Sequence, residues 1–283
     1  MDWTFTEDVE EFAATAGDFL ALRPVENTIE LVVTETVRRR GAAAFGDSAP
    51  LFGWWRQGDG PVESTFLRTP PYPGLLTSAA CEESVRPLAE SLAAVGHPLP
   101  GINAAEGAAL AFAAAWKQLT GADAEIRLRS RLYRLGQLRP PSPAPPGAAR
   151  VAVTADSELL AAWLDAFSRE ALGNERPAPG AIAELVSHGD LTWWENDGVP
   201  VSLAGVHRPA GGTVRVGPVY TPPEHRRLGY GAAVTAAVTQ AALDGGATAV
   251  VLFTNLANPT SNSIYQRLGY RPVEDRLVVG FKS

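Results

Sequence analysis

The richest chemistry in the sequence lies in Val214–Val238, VRVGPVYTPPEHRRLGYGAAVTAAV. An apolar strand pattern ends at Tyr220-Thr221, a Pro-Pro turn follows, then Arg226-Arg227-Leu228-Gly229-Tyr230-Gly231, then an alanine-rich helix. Glycines at 229 and 231 let main-chain N–H groups converge on one concavity. The helix that begins there leaves its first N–H groups unpaired and adds the positive end of its dipole. Such a set of donors suits a pyrophosphate, and Arg226 and Arg227 add charge at the mouth. No lysine follows in the Walker pattern, which argues against a nucleotide P-loop, and the full six-residue glycine pattern of a dinucleotide site is missing.

A second run, LANPTSNSIYQRLGY at 256–270, follows one helix and one strand later. With both runs in view, the chain resembles the GNAT superfamily of acetyltransferases. The family's cofactor signature, [Gln/Arg]-x-x-Gly-x-[Gly/Ala], is met by Arg226, Gly229 and Gly231. Its second signature, Asn-x-x-[Ala/Ser]-x-x-x-Tyr-x-x-x-Gly-[Phe/Tyr], is met by Asn258, Ser261, Tyr265, Gly269 and Tyr270. The resemblance covers about 151–283. It implies an acyltransferase that moves acetyl from acetyl-CoA directly to a primary amine of a small molecule or peptide. Arg226, Arg227, Leu228, Gly229, Tyr230 and Gly231 would hold the pyrophosphate. Val219, Tyr220 and Thr221 would offer main-chain groups to the pantetheine arm. Asn258 would face pantetheine, or cap the helix that starts at Pro259. Tyr265 would protonate the departing thiolate, and a phenol of ordinary pKa, near 10, holds its proton at neutral pH. A non-catalytic acyl-CoA sensor is the alternative.

The general base is less legible. Glu195, His207, Glu224 and His225 qualify by type; Glu195, at a strand end beside Trp193-Trp194, is the candidate nearest to where substrate enters in this fold. A base is not obligatory, because family members also deprotonate the amine through water. Trp193 and Trp194 point to opposite faces of a strand, so one ring belongs to the core. Cys81, the single cysteine, has Glu82 and Glu83 beside it and no cation to lower its pKa. No metal site is expected.

These residues need elements to hold them. Over the C-terminal half, the pattern predicts strands at Val151–Thr154, Leu191–Glu195, Val199–His207, Val214–Tyr220, Ala249–Phe253 and Leu277–Phe281. It predicts helices from Asp156 to about Leu172, at Ala181–Ser187, Tyr230–Leu243 and Ser261–Leu268. This is an α/β order with a mixed sheet. The N-terminal half predicts helices at Val9–Phe19, Ile29–Arg39, Ser84–Val95 and Gly107–Leu119, with strands at Leu51–Arg56, Val62–Thr69 and Glu125–Leu135. RPPSPAPPG at 139–147 reads as a semi-rigid linker. The expected division is 1–138, a linker at 139–149, and a catalytic domain at 150–283. LFGWWRQGDGPV at 51–62 echoes LTWWENDGVPV at 191–201, which fits an internal duplication. The resemblance then implies two GNAT-like domains, each a mixed, mostly antiparallel twisted sheet flanked by helices. LLTSAACEESVRPL stands where the first loop would be and its acids repel a pyrophosphate, so the first half reads as a degenerate GNAT-like domain that has lost cofactor binding, or as an unrelated α/β module.

Composition sets outer bounds. The 283 residues are 46% hydrophobic and 19% charged, with net charge −7. That suits a globular chain with a substantial core and argues against nucleic-acid and anionic-membrane surfaces. No apolar run approaches the roughly 18 residues that span a bilayer. The cytoplasm is the expected location; the oligomeric state stays open, with a homodimer as one option.

Overall fold

The computed structural model describes residues 2–78, 80–96, 98–171, 181–208 and 211–282. They form two compact units, one of Met1–Leu132 with Val273–Ser283 and one of Tyr133–Pro272. The first contains β1 (Asp2–Thr6), α1 (Val9–Ala21), α2 (Thr28–Arg40), β2 (Leu51–Arg56), β3 (Val62–Arg68), β4 (Gly74–Leu76), α3 (Glu82–Ala94), β5 (Gly101–Ala105), α4 (Glu106–Thr120) and most of β6 (Asp123–Leu135). The second contains β7 (Ala148–Val151), α5 (Ser157–Ala171), α6 (Ala181–Ser187), β8 (Leu191–Asn196), β9 (Val199–His207), β10 (Thr213–Tyr220), α7 (Tyr230–Asp244), β11 (Ala249–Asn255), α8 (Pro259–Arg267) and the start of β12 (Tyr270–Lys282).

The two lists have the same order: strand, two helices, three strands, helix, strand, helix, strand. Pairing repeats too. β1–β2, β2–β3 and β3–β4 are antiparallel and β4–β5 parallel. Likewise β7–β8, β8–β9 and β9–β10 are antiparallel and β10–β11 parallel. A helix between the fourth and fifth strands makes the crossover that a parallel pair requires. The Trp pairs of the echo occupy the second strand of each unit. Alternation splits them as expected: Trp55 joins one core cluster and Trp54 another, while Trp193 is buried and Trp194 lies on the opposite face.

The division differs from the one expected. Val273–Ser283 belongs to the first unit because β12 pairs antiparallel with β5, from Arg276↔Ala105 to Gly280↔Gly101. Arg276 fixes this strand. Its side chain is 1% exposed and meets Glu30 and Glu274 at 3.4 Å, Ser78 Oγ at 2.7 Å, Asn103 Oδ1 at 3.1 Å and the Leu76 carbonyl at 3.1 Å. The proline-rich run is no free linker either. It belongs to the second unit, where Trp194 Nε1 donates to the Pro146 carbonyl at 2.9 Å and Arg139 N to the Leu268 carbonyl at 2.9 Å.

Smaller differences have local causes. β1, β4 and β5 lie outside the strands the pattern predicts, since in such short strands few residues carry the alternation. The strand expected at 151–154 lies at 148–151, because Asp156 Oδ2 accepts from Val153 N and folds the next residues into a 3-10 turn before α5. Leu172, the expected end of that helix, lies outside the described residues.

Candidate functional site

The site is built where β10 and β11 end in the second unit. Their parallel pairing runs from Thr213↔Ala249 to Val216↔Leu252 and stops, although β10 continues to Tyr220 and β11 to Asn255. Gly217-Pro218 interrupts the strand, and proline brings no donor. Beyond the break Val219 and Tyr220 rejoin β9 opposite Ala204 and Leu203. The edge of Gly217–Tyr220 that faces β11 is therefore left without ladder bonds, and the strands part like a wedge. Ser202 on β9 pins the tip: its hydroxyl bonds the Tyr220 carbonyl at 3.1 Å and Thr221 Oγ1 at 2.8 Å.

The loop then turns into α7. Gly229, the residue before the helix, has φ +88°, and Arg227 has φ +65°. Among the described residues, the N–H groups of Arg227, Leu228, Gly229, Tyr230, Gly231 and Ala232 make no hydrogen bond; the first one paired is Ala233, to the Gly229 carbonyl at 3.0 Å. Every helix leaves its first N–H groups open. Here two loop donors extend the row ahead of the helix, and the helix dipole adds to it. Gly231 sits in the first turn, where a Cβ would stand 3.2 Å from Thr221 Oγ1. Such a row of open donors at a helix start suits an anion such as a diphosphate.

Arg226 behaves differently from expectation. Its guanidinium donates to the Thr221 carbonyl at 2.9 Å and to Glu170 Oε2 at 2.7 Å, and its own N–H is bonded to Pro223. It braces the loop rather than offering free charge. Tyr220 is buried against Trp163, at 5.7 Å between ring centres, with its hydroxyl 3.4 Å from Glu170. Burial, then Glu170, pushes that phenol up.

α8 carries the second set. Asn258 caps it, Oδ1 accepting from Ser261 N at 3.0 Å, so the capping role is filled and the amide nitrogen is left over. Tyr265 packs in one cluster with Val216, Val234 and Leu252, below the wedge, and is 8% exposed. No hydrogen bond of its hydroxyl is found among the described residues. Burial pushes the phenol up to about 12, so it stays protonated through the neutral range. Tyr133 holds α8 in place, donating to Asn262 Oδ1 at 3.0 Å and accepting from Gln266 Nε2 at 3.1 Å. Gly269 has φ +99°, and a Cβ there would strike the Gln137 carbonyl, so this signature glycine serves packing.

The base candidates fare poorly. Glu195 Oε1 accepts from Arg150 at 2.7–2.8 Å, and Arg150 also grips Asp156 at 2.9 and 3.1 Å. Glu195 is thus engaged in an ion-paired cluster with Arg150 and Asp156. His207 pairs with Arg215 near the start of β10, away from the wedge; burial, with Arg215 adding, pushes its imidazole down to about 3. Glu224 is exposed in the 3-10 turn before the loop, and His225 packs edge-on to Tyr230 at 6.4 Å. Ser202, Glu170 and Tyr133 were not singled out from sequence. Their partners are 18 to 133 positions away, and no local spacing signals them. Among the described residues no acid, histidine and cysteine cluster could hold a metal, and no helix is long and apolar enough to cross a membrane.

Comparison with known proteins agrees with this geometry. Residues 156–270 match the acetyltransferase (GNAT) family. No curated protein sequence matches the chain. Among solved structures, a GCN5-related N-acetyltransferase from Kribbella flavida is 22% identical with TM-score 0.58, over 92% of this chain and 96% of that one. A tandem GNAT protein from the clavulanic acid biosynthesis pathway is 14% identical with TM-score 0.63, over 99% and 98%. A GCN5-related N-acetyltransferase from Sphaerobacter thermophilus is 16% identical with TM-score 0.61, over 99% and 95%. At these identities the likeness is one of fold. Family match, repeated element order and open loop converge: residues 156–270 are similar to the GNAT acetyltransferases, and the solved structures share the fold.

Proposed function

We propose that the protein is an N-acetyltransferase that uses acetyl-CoA and acetylates a primary amine of a small molecule or peptide in the cytoplasm. The observation that carries this reading is the row of unpaired N–H groups from Arg227 to Ala232 beside the parted ends of β10 and β11. That row receives the diphosphate of the cofactor, and the free edge at Val219–Thr221 receives its pantetheine arm. Bound there, acetyl-CoA supplies an acyl group activated as a thioester.

The chain's own residues then position and move protons. A main-chain N–H at the tip of β10 polarises the acyl carbonyl. Tyr265 donates a hydrogen bond to the sulfur as its bond to the acyl carbon breaks. A phenol near 12 is a weaker acid than a thiol of about 8.5. Tyr265 therefore relays a proton released by the incoming amine rather than ending the cycle ionised. With Glu195 bound to Arg150, water rather than a side chain takes the first proton from the amine.

The test is thiol release from acetyl-CoA over a panel of primary amines, with Tyr265→Phe as control. Turnover that falls about 10²–10⁴-fold in the variant, at unchanged coenzyme A affinity, is the expected result. Coenzyme A binding without thiol release for every amine would favour an acyl-CoA sensor instead.

A further inference from the structure

The first unit holds a cleft of about 690 Å³, a size typical of small-molecule sites. Its walls are apolar: Trp116 and Phe281, with ring centres 5.7 Å apart, Leu99, and the prolines at 70 and 98. Thr120 also lines it, but its hydroxyl already donates to the Trp116 carbonyl at 2.8 Å and accepts from Ala122 N at 3.2 Å.

The charged residue in the wall is Arg68, the last residue of β3. Alternation puts it on the same face as Phe66, among the apolar residues between the sheet and α4. It is 7% exposed, and its Nε is buried with no partner. Among the described residues its guanidinium has neither an acidic neighbour nor a hydrogen bond. Burial pushes its pKa down. Arg276 in the same unit is comparably buried, yet it is surrounded by acceptors. A buried guanidinium without an acceptor is costly to keep. Arg68 is thus a cation facing an apolar cleft with its hydrogen-bonding capacity unspent.

We infer that this cleft is a binding site for a small carboxylic acid with an apolar ring or chain, its carboxylate seated on the fork of Arg68 and its body between Trp116 and Phe281. A single planar fork matches one carboxylate in two parallel hydrogen bonds. The site is separate from the cofactor loop and does not depend on the reading of the second unit.

Isothermal calorimetry on the full chain, with 3-phenylpropionate against its neutral isostere 3-phenylpropanamide, tests the assignment. The acid binds about 10- to 100-fold more tightly, the range expected for hydrogen bonds to a charged group. Arg68→Met removes that preference and raises the melting temperature, since it takes away an uncompensated buried charge. Arg68→Gln serves where the Met variant does not fold. Gly229→Ala leaves the acid's affinity unchanged. Equal binding of acid and amide, no heat from either, or a preference that survives in both Arg68 variants overturns the proposal. Displacement of the acid by equimolar inorganic phosphate overturns the choice of carboxylate.

Discussion

Gly229→Ala isolates the loop from the rest of the second unit. Gly229 sits at φ +88°, where an L-residue is disfavoured by about 1–2 kcal/mol. A Cβ would meet the Pro145 ring carbons at 3.6–3.9 Å, ordinary contact, so strain and not collision sets the cost. At about 2–4 °C per kcal/mol for a unit of this size, the melting temperature falls by about 2–8 °C. If the loop relaxes instead to negative φ, the N–H groups of Gly229 and Tyr230 swing off the concave row. Each bond to a charged oxygen is worth about 1.5–3 kcal/mol, so coenzyme A affinity by calorimetry drops at least about tenfold. Gly231→Ala is the internal contrast. It is helical, it gains about 1 kcal/mol in helix propensity, and its Cβ only nudges Thr221 Oγ1 at 3.2 Å. Stability and affinity should both stay close to wild type. Gly229→Asn, which tolerates positive φ, should recover much of the loss. If Gly229→Ala binds coenzyme A as well as Gly231→Ala does, the row of N–H groups is not the diphosphate site.

Three further outcomes follow from the geometry. Glu195→Gln leaves turnover within about threefold, far from the 10²–10⁴-fold loss of a general base, when thiol release is measured at neutral pH. Arg276→Met removes the buried ion pair with Glu30, both side chains 1% exposed, and costs about 3–5 kcal/mol in urea unfolding, while Arg276→Met with Glu30→Met recovers part of it. The pKa of His207 is depressed by burial from its ordinary 6.5 to about 3. Its stabilising contribution is present above 6.5 and is lost as pH falls through that window, so the acid side of the stability–pH curve should flatten in His207→Asn.

The elements that could be read from sequence were those whose signal is local. α7, β9 and β10 carry long apolar runs closed by Gly or Pro, and their ends fell within a residue or two. The fold class and the two signatures were legible for the same reason: the glycine loop and the Asn258–Gly269 spacing are properties of contiguous chain. What was not legible depends on residues far apart. The placement of Val273–Ser283 in the first unit rests on pairing with β5 and on Arg276, more than 170 positions from Asn103. Arg226 looked like free charge because its partner Glu170 lies 56 positions away. Glu195 looked available because nothing near it in sequence announces Arg150 as a partner 45 positions upstream.

The two units share an element order but not a chemistry, and the start of the crossover helix explains why. In the second unit that start is Gly229–Gly231, with open donors and no acid in the first turn of α7. In the first unit the equivalent helix, α3, begins after Cys81 with Glu82 and Glu83 in its first turn. Cys81 N is already bonded to Ser64 Oγ at 3.1 Å, and the Cys81 carbonyl to Ser84 Oγ at 2.8 Å. Two carboxylates at a helix N-terminus complement the dipole that would otherwise attract a diphosphate. The Cys81 N–H is thus spent within the fold. The same architecture therefore presents open donors without an acid at one crossover helix and an acidic helix start at the other. Cys81→Gly alone should not create coenzyme A affinity in the first unit, measured by calorimetry, because the charge of Glu82 and Glu83 would remain.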